Sequence, residues 1–416
     1  MAAMPLDGVR VLDFTWVVAG PVACRILADH GAEVIKLERK VPGTLGPRRV
    51  GLQGDLNRNK RSVAINMATA RGVELARELA RISDIVIDNF SARVMRGWGM
   101  DYASLTALKP DIICISMSGL GHTGPRANFV SYGPTLQALS GFTAMMRDEN
   151  GEPAGYGYSY ADMAGGYTGA FAALIALWHR RRTGQGQFVD LSQFEALTSV
   201  IGPVLLDIAV NRRASQPPLW RPQEAPAAPH GIYRCRARAD GGVTDHDRWI
   251  AISVRSHAEW ERFVAAIGAP SWTNDPKFRT LYLRTRNRSE LDENVARWAA
   301  DHDAEAAMAA LQRCRVAAGV VANGADLCER NPQLSARGFW PSVPLPASVP
   351  SAASVLSPES SAIQVTGIPF KLSRTPGSIR SAAPEIGDDN DYVLGELLGL
   401  SRAERDALVA AGALWP

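Results

Sequence analysis

The sequence predicts an α/β protein: a parallel, Rossmann-like sheet in a large domain built from both chain ends, plus a small middle domain. Three observations carry this. Over the first ~200 residues, short β-branched apolar runs alternate with helical periodicities, as in a parallel sheet crossed over by helices. A proline-rich stretch at 214–229 and a Ser/Pro/Ala-rich stretch at 341–361 bracket a middle segment of different texture. At 416 residues the chain is too long for one small core. The expected boundaries are 1–210 for the first part of the large domain and 211–229 for a linker. The small domain takes 230–330, and a second linker with the return to the large domain takes 331–416.

Val9–Thr15 is β-branched and apolar and reads as a buried strand. Pro21 opens a helix to about His30, stopped by Gly31. Glu33–Arg39 is the next strand and closes a βαβ unit. Thr69 marks a second helix with apolar positions Val73, Leu75, Leu79 and Ile82. A strand over Ile85–Phe90, a short helix around Tyr102–Leu108 and a strand over Asp111–Ser118 follow. An aromatic, glycine-spaced loop then leads to Asp162 and a small-residue helix over Met163–Arg182. Arg180, Arg181 and Arg182 complement the negative end of its dipole, and Gly184 and Gly186 stop it. A short strand at 187–191 precedes Ser192 and Glu195, a capping box for the next helix. In the middle segment 249–254 is strand-like, and helical patterns run from about Ala258 to Arg315. Asp391–Val409 returns to helical periodicity.

Hydrophobic residues at 46% and charged residues at 21% describe an ordinary soluble globular chain. A net charge of +3 implies neither a nucleic-acid partner nor a membrane surface. Cysteines 24, 114, 235, 314 and 328 form no CxxC pair and no metal spacing, which fits reduced thiols in the cytoplasm. No signal peptide is visible, and the apolar part of the Asp162 helix, Tyr167–Trp178, is short of the roughly 20 residues a bilayer needs. His246 beside Asp245 and Asp247 lacks further ligands, so no metal site is expected. The turn after the first strand, TrpValValAlaGlyPro, lacks GxGxxG spacing, so the sheet does not imply a nicotinamide cofactor. It does imply a ligand at the carboxyl ends of the strands. Asp162, by itself, reads as a helix cap.

Several runs occur together: PheThrTrpValValAlaGlyPro at 14–21, AsnLysArgSer at 59–62, AspAsnPhe at 88–90 with Arg96, and ArgThrGlyGlnGlyGln at 182–187. With ProLeuAspGlyValArgValLeuAspPhe near the start and GlyGluLeuLeuGlyLeuSer near the end, the chain resembles the family III CoA-transferases, which include formyl-CoA and carnitine-related enzymes. The resemblance runs from residue 5 to about 200 and resumes near 320. It implies an interlocked homodimer of two threaded chains, with a coenzyme A thioester as substrate and no permanently bound cofactor. It implies that Asp162 attacks an acyl-CoA to form a mixed anhydride, which CoA thiolate converts to an aspartyl-CoA thioester. An incoming carboxylic acid then takes the CoA by the reverse steps. It also implies CoA contacts from Val17, Val18, Ala19, Arg39, Asn59, Lys60, Arg61, Asn89, Phe90 and Arg96. A helix N-terminus lowers an acid's pKa and offers N–H groups to an oxyanion, while Gly165 and Gly166 would leave room for substrate.

The chain departs from its resemblance in four places. Gly133 stands where oxalate-using enzymes have a glutamate, and Val18 where the formyl-CoA enzymes have a glutamine. The glycine-rich loop of those enzymes has no counterpart near 225–245. Val130, Ser131 and Tyr132 replace the His-Asp pair of the racemase branch. A larger acid than oxalate is therefore the expected acceptor, as in the succinyl-CoA:benzylsuccinate-type subset. Tyr132, Tyr158 and His230 are candidates for its pocket, with Tyr156 and Tyr160 beside them. His122 is expected to hydrogen-bond rather than act as a base. The alternatives are a CoA-ester racemase and a non-catalytic subunit of a heteromeric transferase.

Overall fold

Six short strands carry the larger half of the molecule. The computed structural model describes residues 4–40, 49–146, 148, 150–155, 157–212, 227–240, 243–345 and 362–415. Strands β1 (Arg10–Asp13), β2 (Glu33–Glu38), β3 (Lys60–Ala64), β4 (Ile85–Asp88), β5 (Ile113–Ser116) and β6 (Phe188–Asp190) pair in the order β3-β2-β1-β4-β5-β6, all parallel. Residues such as Val11, Leu12, Ile35, Ile85, Ile87, Ile113 and Ile115 are fully buried, because helices cover both faces of a parallel sheet. Strand order reverses between β1 and β4, so the crevice between their carboxyl ends is where such a sheet binds ligands.

The connecting helices are α1 (Ala19–Asp29), α2 (Gly51–Asn57), α3 (Ala70–Arg81), α4 (Val94–Gly97), α5 (Tyr102–Leu108), α6 (Gly133–Leu139), α7 (Phe142–Met145), α8 (Tyr160–Thr183), α9 (Gln193–Val200) and α10 (Gly202–Asn211). On one face Ala23 and Leu27 of α1 and Ala170, Ala173 and Leu177 of α8 pack on Val11, Ile85 and Ile115. On the other, Leu75, Leu79 and Leu105 join Val393, Leu394 and Leu414 from the end of the chain over Leu12, Ile35 and Val86. The chain divides into a larger unit, Met1–Trp220 with Gln333–Pro416, and a smaller one, Arg221–Pro332. The smaller unit holds an antiparallel sheet in the order β11-β10-β7, from β7 (His230–Arg234), β10 (Trp249–Ser253) and β11 (Ala317–Val320). A hairpin of β8 (Arg238–Asp240) and β9 (Val243–Asp245) lies apart from that sheet. Its core includes Ile250, Ile252, Phe263, Phe278, Leu291 and Leu311. Most of both expected linkers, 213–226 and 346–361, lies outside the described residues.

Three elements differ from the sequence reading. Strand β3 was absent from it, since LysArgSerValAla shows no apolar run. It buries Lys60, Ser62, Val63 and Ala64 and exposes only Arg61. As an edge strand it would leave backbone N–H groups open to other chains, and the end of the chain closes them: Ser62 N–H donates to Asp389 Oδ2 (2.9 Å) and Ala64 N–H to Asn390 Oδ1 (2.9 Å). Helix α8 starts at Tyr160 rather than Met163, with Ser159 at the N-cap position. The Asp391–Val409 helix is two pieces, Asp391–Leu397 and Arg402–Ala410, separated around Gly399 at φ +75°.

Helix α8 approaches α1 through backbone rather than side chains. A Cβ added to Gly166 would lie 2.6 Å from Val22 Cβ and 2.8 Å from the Ala19 carbonyl oxygen. One added to Gly169 would lie 2.6 Å from Met117 Sδ, and one at Gly165 would lie 2.9 Å from Gln193 Cγ. These glycines are buried packing positions, which corrects the expectation that Gly165 and Gly166 clear a path for substrate. The outward face of α8 is apolar instead: Tyr167, Phe171, Leu174, Ile175 and Trp178 are all exposed at helical spacing. The substitution Gly166→Ala gains about 1 kcal/mol in helix propensity but overpacks the α1 contact. A net loss of about 1–3 kcal/mol is expected, read as a lower denaturant midpoint at unchanged slope.

Candidate active site

Asp162 is the third residue of α8, half-buried in its first turn. It is a first-turn acid, not the cap that the sequence suggested. The N-terminal N–H of the helix is taken by Gln137, whose buried Oε1 accepts from Tyr160 N–H at 2.7 Å. This fixes the start of α8 to α6. Gly133, the first residue of α6, faces the acid directly. A Cβ there would lie 1.6 Å from Ser159 Oγ and 2.5 Å from Asp162 Oδ2. A glutamate side chain at 133 has no room in this arrangement. Burial pushes the Asp162 carboxyl above its ordinary range, opposed by the nearby Ser159 hydroxyl. The direction is opposite to the lowering expected of an acid at a helix N-terminus, because desolvation favours the neutral carboxyl.

The strand ends bring part of the expected CoA set together. Val17 takes φ +61°, a strained conformation for a β-branched residue, and Val18 and Ala19 begin α1 just after it. Asn89, beyond β4, holds this turn from across the switch point: Trp16 N–H donates to its Oδ1 (2.9 Å) and its Nδ2 donates to Trp16 O (2.8 Å). Phe90 lies against the rings of Trp16 (6.5 Å) and Trp98 (5.7 Å). Arg39 is exposed past β2, and Arg96 is 81% exposed with Asp101 at 3.7 Å.

The AsnLysArg run, expected to contact CoA, has partners within the chain. Lys60 has no exposed surface; its Nζ donates to Asp13 Oδ2 (3.1 Å), Pro21 O (3.2 Å) and Asn57 Oδ1 (3.2 Å). Asn59 donates to Asp29 Oδ1 (2.7 Å) and Ser378 O (2.9 Å), and accepts from Arg380 N–H (2.6 Å). Arg61 pairs with Asp389 (2.8 Å) and covers the Tyr392 ring. A buried charge needs a partner, so Lys60 is tied to the sheet, while Asn59 and the half-exposed Arg61 meet the returning chain end.

Tyr132 and Tyr158 are exposed, while Tyr160 stacks on Phe142 at 5.2 Å; Tyr156 lies outside the described residues. His122 donates its backbone N–H to both Asp190 oxygens (2.9 and 3.1 Å), and burial pulls its imidazole pKa down. His230 lies in the smaller unit, where Nδ1 meets Ser253 Oγ at 2.9 Å in a cleft of about 440 Å³. Sequence reasoning passed over Gln137, Ser159 and Trp16. Only Trp16, an aromatic next to a turn residue, left a local signal. Among the described residues no group of three or more His, Cys, Asp or Glu is disposed to hold a metal ion. No single described helix is long and apolar enough to cross a membrane; α9 and α10 have the composition only jointly and bend by 66°.

The sequence pattern of CoA-transferase family III matches residues 6–390. Succinyl-CoA–D-citramalate CoA-transferase of Chloroflexus aurantiacus is 30% identical, over 98% of this chain and 97% of its own. Succinate–glutarate CoA-transferase of Agrobacterium fabrum is 28% identical, over 96% of this chain and 97% of its own. A crystal structure of a CaiB/BaiF family protein from Brucella suis has a TM-score of 0.81 at 25% identity, covering 95% of this chain and all of that one. The chain belongs to CoA-transferase family III and is a CoA-transferase. Because Gly133 abuts the Asp162 carboxylate, Gly133→Ala is expected to displace it and lower kcat about 100-fold. Circular dichroism should keep its wild-type shape and the denaturant midpoint should fall, for an overpacking cost of about 1–3 kcal/mol, while steady-state turnover of the folded protein falls.

Proposed function

We propose that the enzyme moves CoA from succinyl-CoA to a dicarboxylic acid through covalent adducts on Asp162. The observation that carries this reading is the half-buried acid in the first turn of α8, pressed by Gly133 and raised in pKa by burial. An ionised carboxylate of raised basicity is the better nucleophile toward a thioester carbonyl. One Asp162 oxygen attacks that carbon, CoA leaves as thiolate, and a mixed anhydride forms. The thiolate then attacks the aspartyl carbon and releases the donor acid, leaving aspartyl-CoA; the acceptor acid reverses both steps. The names of the Chloroflexus and Agrobacterium relatives support the succinyl donor and a diacid acceptor. Arg39 and Arg96 suit the phosphates of CoA, and the strained turn at Val17–Ala19 with Asn89 and Phe90 suits its adenine. Asp162→Ala is expected to lower turnover by at least about 1,000-fold. Hydroxylamine added after succinyl-CoA should label Asp162 alone; full activity of the alanine variant would refute this mechanism.

We also read the enzyme as a homodimer whose two chains interlock. The exposed apolar stripe on α8, and Leu205, Leu206 and Val210 exposed on α10, are the kind of surface a partner chain covers. The double substitution Phe171→Asp and Trp178→Asp is expected to yield monomers or aggregates in sedimentation velocity. An undisturbed dimer would remove these helices from the interface.

A further inference from the structure

Ser159 stands at the N-cap of α8 without capping it. Its side chain accepts no hydrogen bond from the helix, and the first N–H is satisfied by Gln137 instead. Its Oγ is closed off from solvent and makes no well-formed hydrogen bond among the described residues, though it lies near enough to the Asp162 carboxyl to lower its pKa. A buried, unpaired hydroxyl costs about 1–3 kcal/mol, and such an orphan asks for an explanation. Its position supplies one. Ser159 Oγ and Asp162 Oδ2 both lie within 2.5 Å of one point, the place where a Gly133 Cβ would stand. The missing side chain at 133 lets the hydroxyl and the carboxylate share that space.

We propose that Ser159 is a catalytic residue, donating its hydroxyl hydrogen to the Asp162 oxygen that becomes an oxyanion during CoA exchange. The assignment rests on the transferase reading above. Oδ1 is then the attacking oxygen and the bridge of the mixed anhydride, while Oδ2 remains the aspartyl carbonyl oxygen. When the CoA thiolate adds, its electron pair forms the S–Cγ bond, and the carbonyl π pair moves onto Oδ2. Ser159 stabilises that charge. Collapse restores the C=O bond and breaks the Cγ–Oδ1 bond, so the donor acid departs as a carboxylate carrying Oδ1. No oxidant, reductant or further proton is needed. In the resting enzyme the same hydroxyl holds the carboxyl pKa down against burial.

The test compares the full-length wild type with Ser159→Ala and Ser159→Thr. Each is mixed with succinyl-, acetyl- and formyl-CoA in turn, quenched rapidly, and measured by peptide mass for CoA on Asp162. In Ser159→Ala the rate of adduct formation is expected to fall about 100-fold, as for loss of one oxyanion donor, with KM for the thioester within about twofold. Ser159→Thr, which keeps the hydroxyl, should recover to within about tenfold of wild type. The acid limb of the Ser159→Ala rate profile should move to higher pH, because a group that lowers the Asp162 pKa is gone. A wild-type rate in Ser159→Ala would overturn the serine assignment alone. A loss that threonine fails to rescue, accompanied by a lower thermal midpoint, would also overturn it, in favour of a packing role. Absence of any Asp162 adduct in the wild type with all three donors would overturn the transferase reading and the serine assignment with it.

Discussion

The contact between α1 and α8 is the constraint on which the site depends. Gly166 and Gly169 bring the α8 backbone against Val22, Ala19 and Met117, so the helix carrying Asp162 lies flush under the helix that follows β1. The first turn of α8 is then held to α6 by Gln137. An acid on a loop would be free to turn toward water; here it is fixed from both sides. Helix propensity is sacrificed for that closeness, each glycine costing about 1 kcal/mol against alanine. Position has been favoured over intrinsic helix stability.

Two electrostatic effects meet at Asp162 and oppose each other. The helix end favours the anion, and burial disfavours it. Burial raises the Asp162 carboxyl, since desolvation disfavours the charged form. Elsewhere the same competition is resolved by pairing. Asp13 is entirely buried, yet Lys36 and Lys60 hold its carboxyl down at about 2. Asp13 is neutralised by lysines and secures the sheet, whereas the half-buried Asp162 has no ion pair among the described residues.

Much of the fold was legible because strand and helix periodicities in the first half are strong. Tyr102–Leu108 is helical as read, and Thr69 and Ser192 accept the N-terminal amides of their helices. Strand β3 was not legible, because an edge strand made of LysArgSerValAla owes its burial to residues more than 300 positions away. The partners of the AsnLysArg run were hidden too, because a lysine buried by Asp13 and one facing a phosphate look alike in sequence. Asp162 was singled out by its motif, whereas Ser159 and Gln137 stand out only through their places beside Gly133 and Tyr160. Short-range patterns reveal elements, and the site is made where separate elements touch.

The closure of the β3 edge by Asp389 and Asn390 also sets a schedule. Those partners follow Ser62 and Ala64 by 327 and 326 residues. At about 5–20 residues per second of synthesis, the strand waits roughly 16 to 65 seconds on the ribosome before its covering arrives. During that interval its donors are open, and the leucines and valine of the returning tail are missing from one face of the sheet. Biosynthesis of this enzyme therefore passes through a long-lived nascent chain with an uncovered strand. Its yield in a cell depends on how well that interval is guarded, apart from how stable the finished molecule is.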